Sequence, residues 1–486
     1  MADVVILGGG VAGHTAALHL SRWLGNEHTV TVVTPNARWN WIPSNIWVGV
    51  GRMTPRQVTF PLAPVYAKRG IAYKQAKAVA IRPDGDAEDG RGAVDIVYTG
   101  QGKDGQEERI RFDFLVNATG PRLNFGATPG LGPDEGYTVS VCTADHAVHA
   151  AKVLAEKIEA LKADVPQTLV IGTGHGTATC QGAAFEYLFN VDHELRDAGV
   201  RGRCRLVYLS NEAALGDFGM GGMVFEPTKG KLVTSQEWAE SLYRERGIDA
   251  IVGAHVNRIE EGLIHYETLD GTTHALGYDF AMLIPPFAGQ PMKAYARDGA
   301  DITGEIFAPN GLMKVDGDYT PKPYEDWKPA DWPQTYAVPG HDNIFAAGIA
   351  FAPPHQISRP RKSPNGTVIT PAPPRTGMPS GVIAKTVAMS IRDRIEKGPA
   401  APLSSAPMYK MGAACVASAG ADLRTGSAAL ISVMPVVPDP LTYPTGRDTG
   451  DTRGEIGLSG HWMKLLLHHL FLHKAKGRPG WHLIPE

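Results

Sequence analysis

Cysteines, a histidine and a carboxylate in the first 190 residues have the types and spacing for redox and proton chemistry. Cys180 follows a glycine-rich turn at the start of a predicted helix, where the helix dipole would stabilise a thiolate. His146 stands four residues after Cys142 and could hold that thiol as a thiolate or shuttle a proton. Glu186, on the predicted Cys180 helix, is a further candidate for proton transfer. The ordinary alternatives are a buried structural cysteine, a backbone-bound histidine and an exposed salt bridge.

Two other cysteines are expected to be structural. Cys204 lies within the strand-like run RCRLVYL, and Cys415 lies in the apolar run MGAACVAS. Four cysteines are too few for a disulfide framework, so each is treated as an individual chemical candidate.

The first twenty residues predict a nucleotide-binding element. Residues 3–7 (DVVIL) predict a strand, Gly8, Gly10 and Gly13 follow at GxGxxG spacing, and VAGHTAALHL has helical periodicity. In such a unit the first glycine allows a tight turn and the second lets the backbone approach a pyrophosphate. The third lets the helix pack closely on the strand. The phosphates would then lie at the helix N-terminus.

The next strands narrow the choice of nucleotide. Residues 29–33 (TVTVV) predict a parallel strand, whose end is the place for a ribose-binding acid. Thr34 and Asn36 stand there instead, which disfavours NAD and leaves FAD open. The strand of residues 113–120 ends in Ala118, Thr119 and Gly120, a pattern that recurs where two-dinucleotide flavoproteins pass close to their cofactor.

A second, altered unit follows. Residues 168–174 (TLVIGTG) predict a strand and turn with GxGxG spacing, residues 178–190 a helix, and residues 203–209 another strand. The fold class is therefore α/β, with two Rossmann-like dinucleotide-binding domains. We expect the first over residues 1–160 and the second over 165–295. Residues 300–395, with long proline-rich loops at 317–339 and 356–379, would return to the first domain before a C-terminal region at 400–486.

Composition excludes several classes. A net charge of −3 over 486 residues gives no sign of nucleic-acid binding, and no run of eighteen apolar residues predicts a transmembrane helix. The chain enters a strand at once, so no secretory signal is expected.

The tail, residues 460–481, predicts an amphipathic helix. Its apolar face comprises Trp462, Met463, Leu466, Leu467, Leu470 and Phe471, and its polar remainder comprises Lys464, His468, His469, Lys474 and Lys476. This pattern favours a helix in a membrane interface over one packed on the protein core.

Five segments, in order, carry a resemblance that covers nearly the whole chain. They are WNWIPSNIWVGVG (39–51), SVCTADHA (140–147), ATCQGAAFEYLF (178–189), EAALGDFGMGG (212–222) and AMLIPPFAG (281–289). The chain resembles the sulfide:quinone oxidoreductases, flavoproteins with two dinucleotide-binding domains. The resemblance implies sulfide oxidation at a redox cysteine pair, with electrons passing through FAD to a quinone. It also implies peripheral, monotopic attachment to a membrane by the C-terminal region, and we expect a homo-oligomer.

The resemblance assigns roles to particular residues. Cys180 matches the central redox cysteine, and Cys142 matches a cysteine that in some members bonds the flavin or helps sulfide to enter. Expected FAD contacts are Gly8, Gly10, Gly13, Thr34, Asn36, Pro43, Val79, Ala118, Thr119, Gly120 and Gly348. Expected quinone contacts are Phe351, Phe287 and Met378. No metal ligands are assigned.

Three positions depart from the family pattern. Ala350 stands where the third redox cysteine is expected, so Cys142 or Cys415 substitutes through space, one cysteine suffices, or sulfide oxidation is lost. Gly348 is followed by Ile349 instead of the aspartate that bonds the flavin ribityl chain. Ser380 replaces the lysine of a Pro-Lys-Thr-Gly segment near the quinone.

Three other readings stay open. A type II NADH dehydrogenase shares the fold, but the altered second turn, the missing ribose-binding acid and Cys180 disfavour it. A soluble flavoprotein subunit passing electrons to a haem partner is disfavoured by the membrane-like tail. An inactive, FAD-stabilised scaffold is the reading that Ala350 makes credible.

Overall fold

The computed structural model describes residues 1–374, 377–420, 423–424 and 426–486. Two residues of the predicted loop 356–379, numbers 375 and 376, lie outside the described residues. The helices are α1 (Val11–Leu24), α2 (Asn45–Gly49), α3 (Pro55–Val58), α4 (Leu62–Lys68), α5 (Ala144–Lys162), α6 (Gln181–Asp197), α7 (Ser235–Arg246), α8 (Thr303–Ile306), α9 (Gly377–Lys397) and α10 (Leu458–Ala475).

Strands β1 to β13 are β1 (Asp3–Leu7), β2 (Thr29–Val33), β3 (Arg38–Asn40), β4 (Thr59–Pro61), β5 (Ala72–Lys74), β6 (Ala76–Arg82), β7 (Ala93–Tyr98), β8 (Glu107–Arg111), β9 (Phe114–Asn117), β10 (Arg122–Leu123), β11 (Gln167–Thr173), β12 (Cys204–Leu209) and β13 (Val224–Thr228). Strands β14 to β26 are β14 (Lys231–Thr234), β15 (Asp249–Ile251), β16 (Ala254–Glu260), β17 (Leu263–Thr268), β18 (Thr273–Gly277), β19 (Phe280–Ile284), β20 (Phe287–Ala288), β21 (Lys293–Ala294), β22 (Ala337–Val338), β23 (His341–Ala346), β24 (Ala413–Ala419), β25 (Ser427–Val433) and β26 (Arg453–Gly457).

The first Rossmann-like sheet has the strand order β22-β23-β9-β1-β2-β5. Its central strands β9, β1 and β2 are parallel and almost wholly buried, which explains why they read as continuous apolar runs. The predicted strands at residues 3–7 and 29–33 are confirmed at those bounds. Strand β23 joins the same sheet beside β9, so the chain returns to this sheet after the second one.

The second Rossmann-like sheet has the order β15-β12-β11-β19, with all of its pairs parallel. Helix α6 crosses from β11 to β12, as the sequence predicts. It begins at Gln181 instead of residue 178, because Cys180 has a left-handed backbone (φ 65°) and ends the turn. The helix continues to Asp197, beyond the predicted end at residue 190, since Phe189, Val191 and Leu195 extend its buried face.

The two long helices in the last third of the chain, α9 and α10, pack against other elements of the fold. Helix α9, predicted at residues 381–394, runs from Gly377 to Lys397 and packs along α1. Strand β24 lies on α6, and α10 packs on β24 and β25. Among the described residues, no helix has both the length and the apolar character that crossing a bilayer requires.

Candidate functional site

The glycine turn between β1 and α1 has the geometry of a pyrophosphate cradle. Gly8 has φ 102°, and a Cβ there would lie 2.1 Å from the carbonyl oxygen of Ala118. A Cβ on Gly13 would lie 2.0 Å from the carbonyl oxygen of Gly8, so α1 can approach β1 only without that side chain. Gly10, at the N-cap of α1, is exposed and faces open space. Two glycines therefore fix the turn, and the third leaves room for an anion at the helix N-terminus.

Two of the other expected FAD contacts, Thr34 and Thr119, lie just after the ends of the strands on either side of β1. Thr34 is buried at the end of β2, with its methyl group facing Gly9, and its hydroxyl accepts a 3.4 Å hydrogen bond from the backbone of Asn36. Thr119 donates its hydroxyl to Asn117 Oδ1 at 2.8 Å, which fixes the end of β9.

Four more of these residues are accessible or close to α1. Gly120 has φ 68° and is half-buried, and Pro43 is half-buried in a short 3₁₀ turn. Val79 lies at a bulge in β6 and is 37% exposed. Gly348 has φ 67° and lies so close to α1 that a Cβ would be 2.7 Å from Ala12 Cβ.

The corresponding turn between β11 and α6 is closed. A Cβ on Gly176 would lie 2.2 Å from the carbonyl oxygen of Val368, so the 356–374 segment covers this turn. The backbone N–H of Gly176 donates to His255 Nδ1 at 2.9 Å, and its carbonyl accepts from Thr370 N and from Asn211 Nδ2. The Gly176 groups that could face a nucleotide phosphate are occupied by the protein itself.

A carboxylate does follow β12, but it faces inward. Glu212 is fully buried, accepts 2.7 Å hydrogen bonds from the hydroxyls of Tyr208 and Ser210, and accepts the backbone N–H of Phe218 at 2.8 Å. Burial raises the pKa of Glu212 to about 7. With its oxygens bound in this way, Glu212 is not placed to bind a ribose.

Cys180 stands where the closed turn meets α6. The carbonyl oxygen of Cys180 accepts a 2.9 Å hydrogen bond from the N–H of Ala183, and Cys180 itself is half-buried. Thr179, the residue before it, donates to the carbonyl of Pro373 at 2.9 Å and lines a cavity of about 380 Å³. The predicted position at a helix N-terminus is confirmed, and an accessible cavity reaches its neighbour.

The surroundings of Cys142 and His146 disfavour the charged forms of both side chains. Burial raises the pKa of the Cys142 thiol, an effect that a hydrogen bond with Ser140 only partly offsets. The ring of His146 lies 3.9 Å from Asp134 Oδ2 and packs against Phe125. Its pKa is lowered by burial, so His146 is not a cation that would hold Cys142 as a thiolate.

Cys415 lies closer to Cys180 than its place in an apolar strand suggests. A Cβ on Gly182, the second residue of α6, would be 2.7 Å from Cys415 Sγ. The thiol of Cys415 therefore rests on the first turn of the Cys180 helix. Burial raises the pKa of this thiol to about 11, with a smaller contribution from the nearby charge of Glu186.

Glu186 is part of a buried ion pair, not the exposed salt bridge considered from the sequence. Lys464 Nζ, on α10, lies 3.0 Å from the Glu186 carboxylate, and both side chains are less than a tenth exposed. The backbone N–H of Ser418, at the end of β24, also points at this carboxylate at 3.4 Å. Burial raises the pKa of Glu186, and Lys464 opposes that rise.

The three expected quinone contacts do not lie together. Phe351 lines a narrow open cleft of about 20 Å³ with Gly348, Ser380 and Ile383, and Met378 immediately precedes the cleft residue Pro379. Phe287 lines the larger cavity beside Thr179, which adjoins this cleft at Pro353 and Pro373. Phe351 and Met378 therefore share one side of the site, while Phe287 belongs to the Cys180 side.

Helix α10 has the predicted amphipathic pattern in an unexpected orientation. Trp462, Met463 and Leu466 are 50%, 43% and 57% exposed, whereas Lys464, His468 and Lys474 are buried against the protein. His468 contacts Ser44 Oγ at 2.8 Å, and Lys464 pairs with Glu186 as described above. Lys464, His468 and Lys474 are thus held by the protein, and Trp462, Met463 and Leu466 are presented to the surroundings, whereas His469 is exposed and Phe471 stacks on Trp41.

A cluster of titratable groups at the end of the chain has no clear signal in the sequence. His19 on α1 and Lys474 on α10 both contact the side chain of Glu486. His19 lies within the apolar periodicity of α1, and Glu486 is far from any motif, so spacing alone does not bring them together.

Comparison with known proteins agrees with this architecture. Residues 2–187 match the family model described as pyridine nucleotide-disulphide oxidoreductase. A sulfide-quinone reductase of Aquifex aeolicus is 30% identical over 97% of this chain and 91% of that protein. The X-ray structure of the sulfide:quinone oxidoreductase from Aquifex aeolicus superposes with a TM-score of 0.74 at 27% identity, covering 98% of this chain and 92% of the other. The structure of NDH2 from Plasmodium falciparum with NADH gives a TM-score of 0.62 at 12% identity, covering 99% and 97%, and shares the fold.

Proposed function

Because this chain belongs to the sulfide-quinone reductase family, we propose that it is an FAD-dependent enzyme that oxidises sulfide and reduces a quinone. The observation that carries the proposal is Cys180 at the N-terminus of α6, behind a second nucleotide turn that the chain itself fills. A cysteine thus occupies the helix end at which a nicotinamide nucleotide would otherwise be bound.

Residues around α1 fit the cofactor. The open space at Gly10, the fixed turn of Gly8 and Gly13, and the helix N-terminus suit a pyrophosphate. Thr34 and Ala118 to Gly120 line the strand ends beside it, and Gly348 approaches the same helix end. When bound, FAD would accept an electron pair from the oxidation of sulfide and pass it to the quinone.

On the sulfide side, Cys180 supplies the nucleophile. The first turn of α6 favours the thiolate, which attacks sulfur more readily than a thiol does. Joining the Cys180 thiolate and HS⁻ to give the persulfide anion CysS–S⁻ releases one proton and two electrons, and bound FAD would be the acceptor of that electron pair. Cys415, whose thiol on β24 rests against the first turn of α6, is a candidate for the second thiol that Ala350 does not provide.

On the quinone side, the walls of the cleft near Gly348 are largely apolar, and the cleft, with a volume of about 20 Å³, would have to widen to admit a ring. Phe351, Ile383 and Pro379 line it, and Ser380 adds a hydroxyl. We assign Phe351 and Met378 to quinone binding and move Phe287 to the sulfide side. Quinones dissolve in bilayers, so the apolar face of α10 would hold the enzyme against a membrane.

Oligomeric state is a separate matter. The homo-oligomer expected from the resemblance stays a prediction, and size-exclusion chromatography with light scattering would test it.

The alternative of a type II NADH dehydrogenase loses support from the closed turn at Gly176 and the inward-facing Glu212. Anaerobic stopped-flow absorbance tests the two readings together. We expect sulfide, and not NADH, to bleach the bound flavin, and a soluble quinone to restore its colour. Bleaching by NADH alone would contradict the proposal.

A further inference from the structure

The larger cavity, beside the N-terminus of the Cys180 helix, has more room than a hydrosulfide ion needs. Its volume is about 380 Å³, and Thr179, the residue before Cys180, forms part of its wall. A hydrosulfide ion has one heavy atom and needs only slightly more room than a water molecule, whose share of liquid volume is about 30 Å³. Protein pockets that bind organic molecules commonly measure about 300–1,000 Å³. The cavity can therefore hold a small organic molecule next to the proposed nucleophile.

The walls of this cavity are held in place by hydrogen bonds within the protein. Tyr319 donates its hydroxyl to the carbonyl of Ala352 at 2.9 Å, and Tyr324 donates its hydroxyl to the carbonyl of Ile357 at 2.7 Å. Both tyrosines line the cavity, and each bond joins two segments that are 33 positions apart in the sequence. A ligand would therefore meet walls that are already ordered, which lowers the entropic cost of binding.

Two neighbouring side chains of the wall carry buried polar atoms that the protein leaves unbonded. His355 Nε2 and Gln356 Oε1 have no hydrogen-bond partner within the described part of the chain. The ring of His355 stacks on Trp327, with 6.3 Å between the ring centroids. Burial lowers the pKa of His355, so its imidazole is neutral near pH 7. Buried polar atoms without partners are costly, and a ligand with an N–H or O–H group would relieve that cost.

The charges at the wall disfavour a strongly anionic ligand. Lys322 Nζ lies 2.8 Å from Asp318 Oδ2 and 2.7 Å from Asp331 Oδ2, so two carboxylates already balance its charge. Lys322 therefore offers no unpaired charge to a dianion such as sulfite. The aromatic rings of Phe287 and Trp327 add apolar surface to the wall. These features favour a neutral or zwitterionic organic molecule.

The missing third redox cysteine agrees with an organic substrate that carries a thiol. Ala350 stands at the position where that cysteine is expected, and Pro353, shortly after it, lines the cavity. A thiol bonded to Cys180 can be displaced by a second molecule of the same thiol, because thiolates attack disulfide sulfur. Such a reaction needs one protein cysteine, and Cys180 provides it.

We propose that this cavity binds a small organic thiol and that the enzyme oxidises it to a disulfide at Cys180, in addition to oxidising sulfide. The proposal rests on the function proposed above. The Cys180 thiolate and one thiolate RS⁻ form a Cys180–S–S–R bond, and the two electrons released pass through FAD to the quinone. A second RS⁻ attacks this bond, releases RSSR and restores the Cys180 thiolate. In total, two RSH and one quinone give RSSR and one quinol, and the two protons lost by the thiols equal the two that the quinone takes up.

Thiols supplied without sulfide test the proposal directly. We expect L-cysteine and mercaptoethanol, which are zwitterionic and neutral, to bleach the flavin of the holoenzyme in anaerobic stopped-flow absorbance. A soluble quinone should restore the colour, with one disulfide formed for each quinone reduced. Mercaptosuccinate, a dianion, should bleach the flavin more slowly, and L-serine should have no effect. Cys180→Ala should abolish bleaching by every thiol.

A matched pair of glutamine variants tests the cavity. Gln356→Leu removes the unbonded amide oxygen at similar size, and Gln236→Leu changes an exposed glutamine on α7 as the control. We expect the ratio of cysteine-dependent to sulfide-dependent bleaching rates to fall about tenfold in Q356L, the worth of one hydrogen bond, and to stay unchanged in Q236L. If Q356L does not fold, His355→Phe decides, because it keeps a ring beside Trp327 and removes Nε2.

A second readout does not depend on electron transfer. Cystine added to the reduced full-length protein without quinone should form a mixed disulfide at Cys180 and release one cysteine. Intact-mass and peptide mass spectrometry would locate the adduct. Its formation should be slower in Q356L than in Q236L, because cystine reaches Cys180 through the same cavity.

Three results separate this proposal from the proposed function. Bleaching by sulfide but by none of the thiols, with no adduct on Cys180, would overturn the proposal and leave the proposed function standing. Thiols that fail to bleach alone but speed turnover with sulfide would also overturn it, since the cavity would then serve an acceptor of persulfide sulfur. Bleaching by thiols and not by sulfide would contradict the proposed function and support the thiol site.

Discussion

The two glycine turns of this protein start from the same plan and end with opposite uses. Both follow a buried parallel strand and lead into a helix that returns over the sheet. At the first turn Gly10 faces open space, and at the second Gly176 faces the carbonyl of Val368 and the ring of His255. The first turn keeps room for an anion, whereas the second has lost it and presents a cysteine at the helix N-terminus. In both units the strand, turn and helix leave a helix N-terminus. Whether that N-terminus can bind an anion depends on whether another segment of the chain covers it.

The covering segment is the source of the difference. Residues 356–374 run over the second turn, where Thr370 N donates to the carbonyl of Gly176 and Ala372 N donates to that of Ala178. Within the described part of the chain, no comparable contact covers Gly10. If the two turns have different functions, substitutions at the second helix end should reduce sulfide oxidation most. A nicotinamide nucleotide should then have no effect on the stability of the protein.

Removing the thiol at the second helix end should have the largest effect. Cys180→Ala is expected to reduce sulfide-dependent flavin bleaching roughly a thousandfold or more, because the first turn of α6 itself carries no other nucleophilic side chain. Stopped-flow absorbance measures it. Cys204→Ala is the control, since Cys204 is buried in β12 and its pKa is raised to about 11. Equal loss in both variants would mean a general effect on folding.

Breaking the ion pair that ties α10 to the Cys180 helix should be the next largest effect. Lys464→Met leaves Glu186 buried without its cation, at a cost of about 3–5 kcal/mol in the free energy of unfolding at pH 8. The loss should shrink toward pH 5, because the raised pKa of Glu186 lets it become neutral. Urea unfolding at both pH values measures this. The double variant E186Q/K464M should recover part of the loss, and no recovery would argue against the pairing.

The inward-facing Glu212 should make stability depend on pH. Its pKa is raised to about 7 in the folded protein, so the folded state binds its proton more tightly than the unfolded chain does. This contribution is complete below about pH 4.5 and is lost as pH rises through 7, a change of a few kcal/mol. Urea unfolding of the wild type and of Glu212→Gln at pH 5 and pH 8 should show a smaller difference in the variant. A ribose-binding, exposed carboxylate would give no such difference.

The outward face of α10 should matter for membranes and little for stability. Leu466→Glu is expected to weaken binding to lipid vesicles about 10- to 100-fold, from the roughly 1.5–3 kcal/mol that burying a leucine is worth. Co-sedimentation with vesicles gives the number. Val165→Glu, at a similarly exposed apolar residue before β11, is the matched control. Unchanged sedimentation of L466E would place the lipid contact elsewhere.

For the addition of NADH we expect no measurable effect. NADH should leave the thermal midpoint of the protein unchanged, because the second turn has no free N–H at Gly176 to bind a phosphate. Differential scanning fluorimetry with and without NADH checks this, with FAD as the positive control. A clear upward shift with NADH would show that the 356–374 segment yields to a nucleotide.

Local patterns predicted the framework of the fold well. Strands β1 and β2 lie at the predicted residues, and Cys180 stands at a helix N-terminus, because apolar runs and glycine spacing act over short distances. The start of α6 was wrong by three residues, since the left-handed backbone of Cys180 has no signal in its own side chain. Patterns could not show that Val368 covers Gly176, because that contact joins residues nearly two hundred positions apart.

The candidate site was predicted less completely for the same reason. Residue types identified Glu186 as a carboxylate of interest, but not Lys464 as its buried partner. Helical periodicity placed Trp462, Met463 and Leu466 on the exposed side of α10, but it did not show that Lys464, His468 and Lys474 are buried against the protein. Which face packs inward depends on acceptors such as Glu186 and Ser44, which lie hundreds of residues earlier.

The inward-turned charges of α10 bear on how this enzyme can be handled in the laboratory. A detachable anchor can be trimmed to give a soluble catalytic core, but here the segment that would meet lipid also neutralises Glu186 on the Cys180 helix and closes over Ser44. Cutting the chain before α10 would remove the counter-ion of Glu186 from the Cys180 helix. A preparation for the proposed assays should therefore retain the tail.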